Sequence, residues 1–118
     1  MPFLFSCKIV CQEENMLSDK TIAKIDAFNK ERDWDKYHNG KDLAVSLALE
    51  ASELLEIYQW SGTDLDCDQS LEKIKEELAD VLIYAVQIAQ KYHLDLDDIV
   101  LEKMKRNAIK YPSPSKEY

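Results

Sequence analysis

The sequence predicts an all-α protein in which four helices pack as a bundle. Only two Gly and three Pro occur in the 118 residues, and two of the prolines lie in the last seven residues. So few helix breakers favour long helices. Apolar residues also recur at helical spacing in successive segments, and these segments begin or end with residues typical of helix termini.

The first two helices are predicted from cap residues and stop signals. The first covers about residues 19–32, behind a cap at Ser18 or Asp19. The second covers about residues 42–60, and Ser61-Gly62-Thr63 stops it. The loop between the two helices, DWDKYHNGK, holds two aromatic residues and a histidine.

The last two helices carry equally clear signals. A third helix is predicted over about residues 70–92, because its apolar positions form a sustained stripe. Asp95 caps a fourth helix, with Asp98 at the capping-box position, and Pro112 ends it. The stripe of the third helix consists of Leu71, Ile74, Leu78, Val81, Leu82, Ala85, Ile88 and Tyr92. The apolar side of the fourth helix consists of Ile99, Met104 and Ile109.

The chain is predicted to be one helical domain with a short segment at each end. A length of 118 residues suits a single domain with a single core. We assign residues 16–112 to this domain, because Met16 directly precedes the first helix start. Residues 1–15 are predicted to be an N-terminal extension without a catalytic candidate, and residues 113–118 a flexible tail.

Charge and cysteine content restrict the partners and the compartment. The net charge is −8, which disfavours binding to nucleic acid polymers and to anionic membranes. No apolar run in the sequence reaches the length of a membrane span. The three cysteines, Cys7, Cys11 and Cys67, are an odd number without a CxxC motif. We therefore expect free thiols and a cytoplasmic location.

Two pairs of carboxylates at helical spacing are the strongest functional signal. Glu50-x-x-Glu53 lies in the second predicted helix and Glu77-x-x-Asp80 in the third. Residues three apart are neighbours on one helix face, so each pair points in one direction. If the two helices pack together, four acids converge, and they cannot all stay ionised without a counter-charge. Oxygen ligands favour a hard divalent cation, namely Mg²⁺, Mn²⁺ or Ca²⁺.

The position of these acids separates them from ordinary surface carboxylates. Acidic residues on helices are usually solvated, and the chain has 23 Asp and Glu residues. Glu50, however, falls in line with Leu43, Leu47 and Leu54, inside the apolar stripe of the second helix. A carboxylate at the edge of a core requires a partner, because desolvating its charge is costly.

Two other metal chemistries do not fit the sequence. A di-iron or di-manganese bundle requires Glu-x-x-His on two helices, and neither His38 nor His93 completes that motif. A calcium-binding loop of the EF-hand type requires a central glycine and a closing glutamate, which the acidic segment DLDCDQ lacks. We therefore predict Mg²⁺ as the cofactor, with Mn²⁺ as the alternative.

The order of several short motifs resembles that of a known enzyme family. These motifs are ExxE, an aromatic-rich helix end, ELADV, and KMxxN followed by KYP. They lie in the segments LALEASELLEIYQW and EELADVLIYAVQIAQKYHLDLDDIVLEKMKRNAIKYP. The sequence resembles the MazG-like nucleoside triphosphate pyrophosphohydrolases, and within them the dCTP pyrophosphatase branch. The resemblance covers about residues 19–112.

The resemblance implies a fold, a reaction and a set of site residues. The implied fold is an all-α bundle that assembles as a dimer or a dimer of dimers. The implied reaction is Mg²⁺-dependent cleavage of a nucleoside triphosphate to the monophosphate and pyrophosphate. The implied metal ligands are Glu50, Glu53, Glu77 and Asp80. The residues implied to hold phosphate oxygens are Lys103 and Asn107. The residues implied to form the base pocket are Trp34, His38, Trp60 and Tyr84.

Two departures from the family pattern leave alternatives open. Leu49 stands where many members carry a second acid, a departure shared with the dCTP branch. The loop HNGKDL differs from that branch, which leaves the base of the substrate open between that of dCTP and a modified pyrimidine.

Glu53 is our first choice for the catalytic base that accepts a proton from water, and Glu50 our second. The alternative function is a non-catalytic helical module that binds a nucleotide or a protein.

Overall fold

The computed structural model describes residues 17–114, which form four α-helices and no strand. The all-α prediction is therefore confirmed for this part of the chain. The helices are α1 (Asp19–Glu31), α2 (Gly40–Glu56), α3 (Leu71–Lys91) and α4 (Leu96–Lys110). Single 3₁₀ turns at Asp35–Tyr37 and Asp68–Ser70 precede α2 and α3. The predicted extension, residues 1–15, and residues 115–118 of the predicted tail lie outside the described residues.

Side-chain caps begin three of the helices. An oxygen of Ser18, Asn39 or Asp95 accepts a hydrogen bond from the backbone N–H three residues further on, at 3.2, 2.8 and 3.0 Å respectively. Each bond satisfies one of the N–H groups that a helix start leaves free. The caps at Ser18 and Asp95 were predicted, whereas the cap at Asn39 starts α2 at Gly40, two residues earlier than expected.

The end of α2 differs most from the prediction. The helix ends at Glu56 rather than at about residue 60. The N–H groups of Ile57, Tyr58 and Gln59 bond to carbonyls three residues back, at 3.3, 3.0 and 3.3 Å, so the chain tightens into successive turns. Gly62 then adopts a left-handed conformation with φ of +65°. The sequence predicts helix over residues 57–60 because this tightened segment, IYQW, remains apolar and aromatic.

The packed core of the described chain lies between α2 and α3, which form its main helix–helix contact. Leu43 of α2 and Val86 and Ala89 of α3 are buried there. The turn between the two helices is closed by Cys67, a buried free thiol whose Sγ lies 3.5 Å from the Asp64 carbonyl oxygen. This arrangement places the two carboxylate pairs on helices that touch. Cys7 and Cys11 lie outside the described residues.

The apolar side of α4 has no cover within the described chain. This helix buries none of its residues. Its exposed large apolar side chains are Ile99, Val100, Leu101, Met104 and Ile109. Part of the predicted stripe of α3 is exposed as well, at Leu71, Leu78 and Tyr92. No helix within residues 17–114 combines the length and the apolar character that crossing a membrane requires.

Candidate metal centre and the adjoining cavity

Three carboxylates converge where α2 and α3 pack together. One carboxylate oxygen each from Glu50, Glu53 and Glu77 lies within 4.8 Å of the other two. We call these three residues the acidic cluster. Glu77 is buried, Glu50 is half-buried and Glu53 is exposed, so the cluster reaches from the helix contact to solvent. The geometry follows from the sequence spacing, because the i, i+3 neighbours of α2 face the first acid of the α3 pair.

Asp80 stands beside the acidic cluster rather than within it. It lies one turn after Glu77 on α3, and it lines a cavity together with Glu50. Burial is the largest cause that raises the pKa of the Asp80 carboxyl, followed by repulsion from Glu77 and Glu53. The structure therefore brings the four predicted ligands to one region, with Asp80 at its edge.

Crowding of like charges also perturbs Glu50. The neighbouring Glu53 carboxyl, with which a protonated Glu50 can hydrogen-bond, raises the pKa of Glu50 to about 7. Desolvation and repulsion from Asp80 act in the same direction. The metal-free site thus holds Glu50 near the midpoint of its titration at neutral pH. A cation that binds to the carboxylates would compete with this proton.

Two buried oxygens identify where a cation would be held. Glu50 Oε2 and Glu77 Oε2 are buried and have no hydrogen-bond partner in the described chain. A buried carboxylate oxygen without a donor or a counter-charge is energetically costly. Oxygen-only donors on neighbouring helices match the preference of hard divalent cations such as Mg²⁺ and Mn²⁺. The residues present therefore fit a divalent metal ion.

Lys73 partly compensates the charge of the acidic cluster. Its Nζ lies 3.2 Å from Glu77 Oε1 and 4.0 Å from Glu76 Oε2. The hydrogen bond to Glu77, together with the negative charge around it, raises the pKa of Lys73. This ion pair occupies one oxygen of Glu77 and leaves the buried one unpaired. Glu53, Glu77 and Lys73 also line an open depression of about 260 Å³.

An apolar cavity of about 350 Å³ opens from Glu50 and Asp80 and extends between α1 and α3. Three of the predicted base-pocket residues, Trp34, His38 and Tyr84, line it. The ring of Trp34 meets that of Phe28, another lining residue, edge to face with centroids 5.6 Å apart. We call this space the aromatic cavity. It joins flat apolar surfaces to the carboxylates within one chain.

The other predicted site residues do not reach the aromatic cavity within the described chain. Trp60 follows the turns after α2 and is 88% exposed. Lys103 and Asn107 lie on α4, which contributes no residue to the lining of the cavity. The roles assigned to these three residues stay predictions.

The structure adds two residues that the sequence patterns did not single out. Asn29 of α1 and Gln87 of α3 are buried polar residues that line the aromatic cavity. For Gln87 a signal was present, because it falls seven residues after Asp80 on the same helix face. Asn29 carries no such signal, because nothing in the α1 pattern distinguishes it from a solvated polar residue.

The chain is similar to known proteins over most of its length. Residues 45–118 match the MazG-like family. The dCTP pyrophosphatase 1 of Mus musculus is 38% identical over 117 residues, which cover 94% of this chain and 64% of the mouse protein. The dCTP pyrophosphatase 1 of Homo sapiens is 37% identical over 91 residues, which cover 73% of this chain and 54% of the human protein. This chain thus spans about 64% of the length of the mouse relative.

A solved structure supports the same relationship. A pyrophosphatase from Archaeoglobus fulgidus superposes with a TM-score of 0.73 at 36% sequence identity. The match covers 80% of this chain and 92% of the archaeal chain. The family match, the identity to the mammalian proteins and the shared helical architecture agree over most of the described residues. The chain belongs to the MazG-like family.

Proposed function

We propose that this protein hydrolyses a deoxypyrimidine nucleoside triphosphate, dCTP or a modified form of it, to the monophosphate and pyrophosphate. Mg²⁺ is the proposed cofactor, and control of the nucleotide pool is the proposed role. The observation that carries the proposal is that Glu50 belongs to the acidic cluster and, with Asp80, also lines the aromatic cavity. The names of the mammalian and archaeal relatives support it.

The charge of the substrate explains why the carboxylates need a cation. A nucleoside triphosphate brings roughly four negative charges, which the acidic cluster and Asp80 would repel. Glu50 and Glu77 would hold the ion through their unpaired buried oxygens, with Asp80 at the edge of the site. When bound, Mg²⁺ supplies the positive charge that neutralises the phosphates and makes water easier to deprotonate.

Glu53 is the residue that we assign to proton transfer. It is the exposed member of the acidic cluster, whereas Glu50 and Glu77 each direct an oxygen into the protein interior. A carboxylate that solvent reaches can accept a proton from the water that attacks the phosphate chain. Glu50 remains the second choice, because it lies beside Glu53 in the acidic cluster and also lines the aromatic cavity.

The aromatic cavity would receive the base. Trp34 and Tyr84 provide flat faces for stacking on a pyrimidine, and His38 provides a ring nitrogen for a hydrogen bond. His38 Nδ1 lies 3.8 Å from Asp35 Oδ1, so the Asp35 carboxylate flanks the imidazole ring. In this assignment the phosphates lie at the acidic cluster and the base lies between α1 and α3.

A second copy of the chain is the proposed cover for α4. The uncovered apolar side of that helix would be buried in a dimer or a dimer of dimers. Such an assembly would also explain Lys103 and Asn107, which do not reach the cavity of their own chain. We propose that these two residues hold phosphate oxygens in the site of a neighbouring copy.

A panel of nucleotides tests the reaction. Pyrophosphate release is measured from the common ribo- and deoxynucleoside triphosphates with Mg²⁺, with Mn²⁺ and with a chelator. We expect release from dCTP or a 5-substituted dCTP that stops when the metal is chelated. Nucleotide binding without any release would instead support the non-catalytic module. Release that continues without metal would contradict the proposed cofactor.

Mixing two inactive variants tests the shared site. Glu53→Gln removes the proposed base, and Lys103→Ala removes a proposed phosphate contact. If Lys103 serves the neighbouring copy, mixed dimers regain one intact site, and activity returns to about a quarter of the wild-type value. If Lys103 serves its own chain, no mixture is active. Light scattering on each variant verifies that assembly is unchanged.

A further inference from the structure

Two buried amides line the aromatic cavity, and one of them has an unsatisfied oxygen. Asn29, Glu77 and Gln87 are the buried polar residues of the described chain, each 6% exposed. Glu77 belongs to the acidic cluster, whereas Asn29 and Gln87 lie where α1 and α3 enclose the aromatic cavity. We call these two residues the amide pair.

The oxygen of Gln87 is an unmet hydrogen-bond acceptor. Gln87 Oε1 is buried and has no hydrogen-bond partner in the described chain. Leaving a buried polar group without a partner is energetically costly. A glutamine that served only to fill the core could be replaced by leucine or methionine without this penalty. The side chain is therefore suited to a partner that enters the cavity and brings a hydrogen-bond donor.

The position of Gln87 along α3 indicates which part of a nucleotide it would meet. Asp80, Tyr84 and Gln87 are spaced at i, i+4 and i+7, so they share one face of the helix. With a rise of 1.5 Å per residue, Gln87 lies about 10 Å beyond Asp80 along the helix axis. A nucleotide with its phosphates near Asp80 and its base beside Tyr84 would direct the far edge of the base to Gln87.

Asn29 connects this edge to the aromatic wall of the cavity. It is the one buried residue of α1, on a helix whose apolar residues are only partly covered. Its carbonyl oxygen accepts hydrogen bonds from the N–H of Trp34 at 2.9 Å and from that of Arg32 at 3.3 Å. The backbone of Asn29 thereby fixes the start of the loop that carries Trp34. The amide of Asn29 and the ring of Trp34 are thus held on the same side of the cavity.

We propose that Gln87 is a specificity-determining residue that reads the edge of the pyrimidine carrying the 4-substituent. This inference rests on the proposed function. Gln87 Oε1 accepts a hydrogen bond from the 4-amino group of cytosine, and Nε2 donates one to the ring nitrogen N3. In the orientation that the structure gives the Gln87 amide, with Oε1 buried, uracil mismatches both contacts, because it presents an oxygen at position 4 and an N–H at position 3. Only a flip of the amide by half a turn would restore them. The site therefore selects 4-aminopyrimidine over 4-oxopyrimidine nucleotides.

The test compares dCTP with dUTP, which differ only along this edge. The ratio of kcat/KM for dCTP to that for dUTP is measured for the wild type, Gln87→Leu and Gln87→Met. We expect the wild type to prefer dCTP and both variants to reduce that ratio by about 10- to 100-fold, mainly through KM for dCTP. Gln90→Leu is the matched control, because Gln90 lies on the same helix but does not line the aromatic cavity. Its ratio should equal that of the wild type.

A binding measurement separates this inference from the proposed reaction. Titration calorimetry with dCMP and dUMP in the presence of Mg²⁺ reports base recognition without turnover, because neither monophosphate has a pyrophosphate to release. Tighter binding of dCMP that Gln87→Leu abolishes would support the role of Gln87 even if no triphosphate were hydrolysed. Equal use of dCTP and dUTP by the wild type, or an unchanged ratio in both Gln87 variants with normal melting temperatures, would overturn it.

Discussion

Helix α3 runs along the acidic cluster and the adjoining aromatic cavity, which form two ends of one site with opposite chemistry. At the first end, which we call the metal end after its proposed ligand and which consists of the acidic cluster and Asp80, α3 faces α2 and like charges crowd together. At the base end, formed by Trp34, Tyr84 and the amide pair, α3 faces α1 across apolar and aromatic surface. The first end is unfavourable without a cation, and the second contains a buried acceptor without a donor.

The difference between the ends shows what kind of ligand the cavity suits. A bare metal ion would relieve the charge at the metal end and leave Gln87 unpaired. A neutral ring compound would satisfy the base end and leave the carboxylates in repulsion. A molecule with an anionic, metal-binding part and a flat hydrogen-bonding part relieves both, and a pyrimidine nucleotide has this form. Variants at each end should therefore affect different measured quantities.

The largest effect is expected from removing charge at the metal end. Glu77→Gln and Asp80→Asn keep the shape of the side chain but delete a carboxylate that the cation requires. We expect pyrophosphate release to fall by about 10³-fold in each variant. The melting temperature of the metal-free Asp80→Asn protein should rise slightly, because a repelling charge is lost. No such rise is expected for Glu77→Gln, which also loses the ion pair with Lys73. Steady-state turnover and thermal melts in a chelator measure the two effects.

Glu53→Gln sharpens this prediction, and Glu72→Gln controls it. If Glu53 acts as the base, its variant loses turnover to a similar extent but binds Mg²⁺ more tightly than Glu77→Gln does. Glu72 is an exposed acid of α3, the helix that carries Glu77, and it pairs with Lys75 at 3.1 Å. The Glu72→Gln variant should behave as wild type. Wild-type turnover of Asp80→Asn at saturating Mg²⁺ would show that our ligand assignment is wrong.

At the base end, Trp34→Ala should raise KM for the nucleotide with a smaller effect on kcat. Stacking of a base on an aromatic ring contributes about 1–3 kcal/mol, so we expect kcat/KM to fall by about 10- to 100-fold. Trp34→Phe retains a ring and should recover most of the loss. The affinity for Mg²⁺ should remain unchanged in both variants. A fall in kcat with unchanged KM would place Trp34 at the metal end instead.

The helices were predictable because their signals are local. Ser18 and Asp95 cap their helices as expected, since a cap depends on a side chain and the N–H three residues later. The end of α2 was not predictable, because the turns after Glu56 replace helical bonds without a change in residue pattern. The exposure of α4 was not predictable either, since periodicity indicates an apolar face but not what covers it.

The two ends of the site also differ in how far the sequence predicts them. Carboxylates at i, i+3 that lie within or beside the apolar stripes of two helices indicate a site, and the structure brings Glu50, Glu53 and Glu77 together. Gln87 shares a helix face with Asp80, but spacing alone does not show that its amide is buried, and Asn29 carries no signal at all. The metal end was therefore predictable from spacing, whereas the full base end required the position of α1 across the cavity from α3.

The raised pKa of Glu50 predicts that lower pH stabilises the metal-free protein but weakens Mg²⁺ binding. A carboxyl whose pKa is higher in the folded than in the unfolded protein binds its proton more tightly when folded. In the metal-free protein the pKa of Glu50 is about 7, whereas the ordinary value for glutamate is 4.5. The stability of the metal-free protein should therefore rise as the pH falls from about 7 towards 4.5. Asp80 acts in the same direction, because the pKa of its carboxyl is raised as well.

The measurement compares melting temperatures and Mg²⁺ affinity at two pH values. In a chelator, the melting temperature should be higher at about pH 6 than at about pH 8. The affinity for Mg²⁺ should change in the opposite direction. It should be about tenfold lower at about pH 6 than at about pH 8, because the proton on Glu50 competes with the cation. Glu50→Gln should flatten both dependences. Similar pH slopes in the wild type and in Glu50→Gln would contradict the assignment to this residue.

The smallest expected effect comes from Lys73, which touches the metal end alone. Its Nζ, 3.2 Å from Glu77 Oε1, competes with a metal ion for that carboxylate. Because the Lys73 side chain is exposed, its ion pair contributes little, and Lys73→Gln should increase Mg²⁺ affinity by only about two- to fivefold. Lys75→Gln is the control, since Lys75 pairs with Glu72 away from the acidic cluster. The preference between dCTP and dUTP should be unchanged in both variants, because neither lysine lines the aromatic cavity. Weaker Mg²⁺ binding by Lys73→Gln would mean that this lysine organises the carboxylates rather than competing for them.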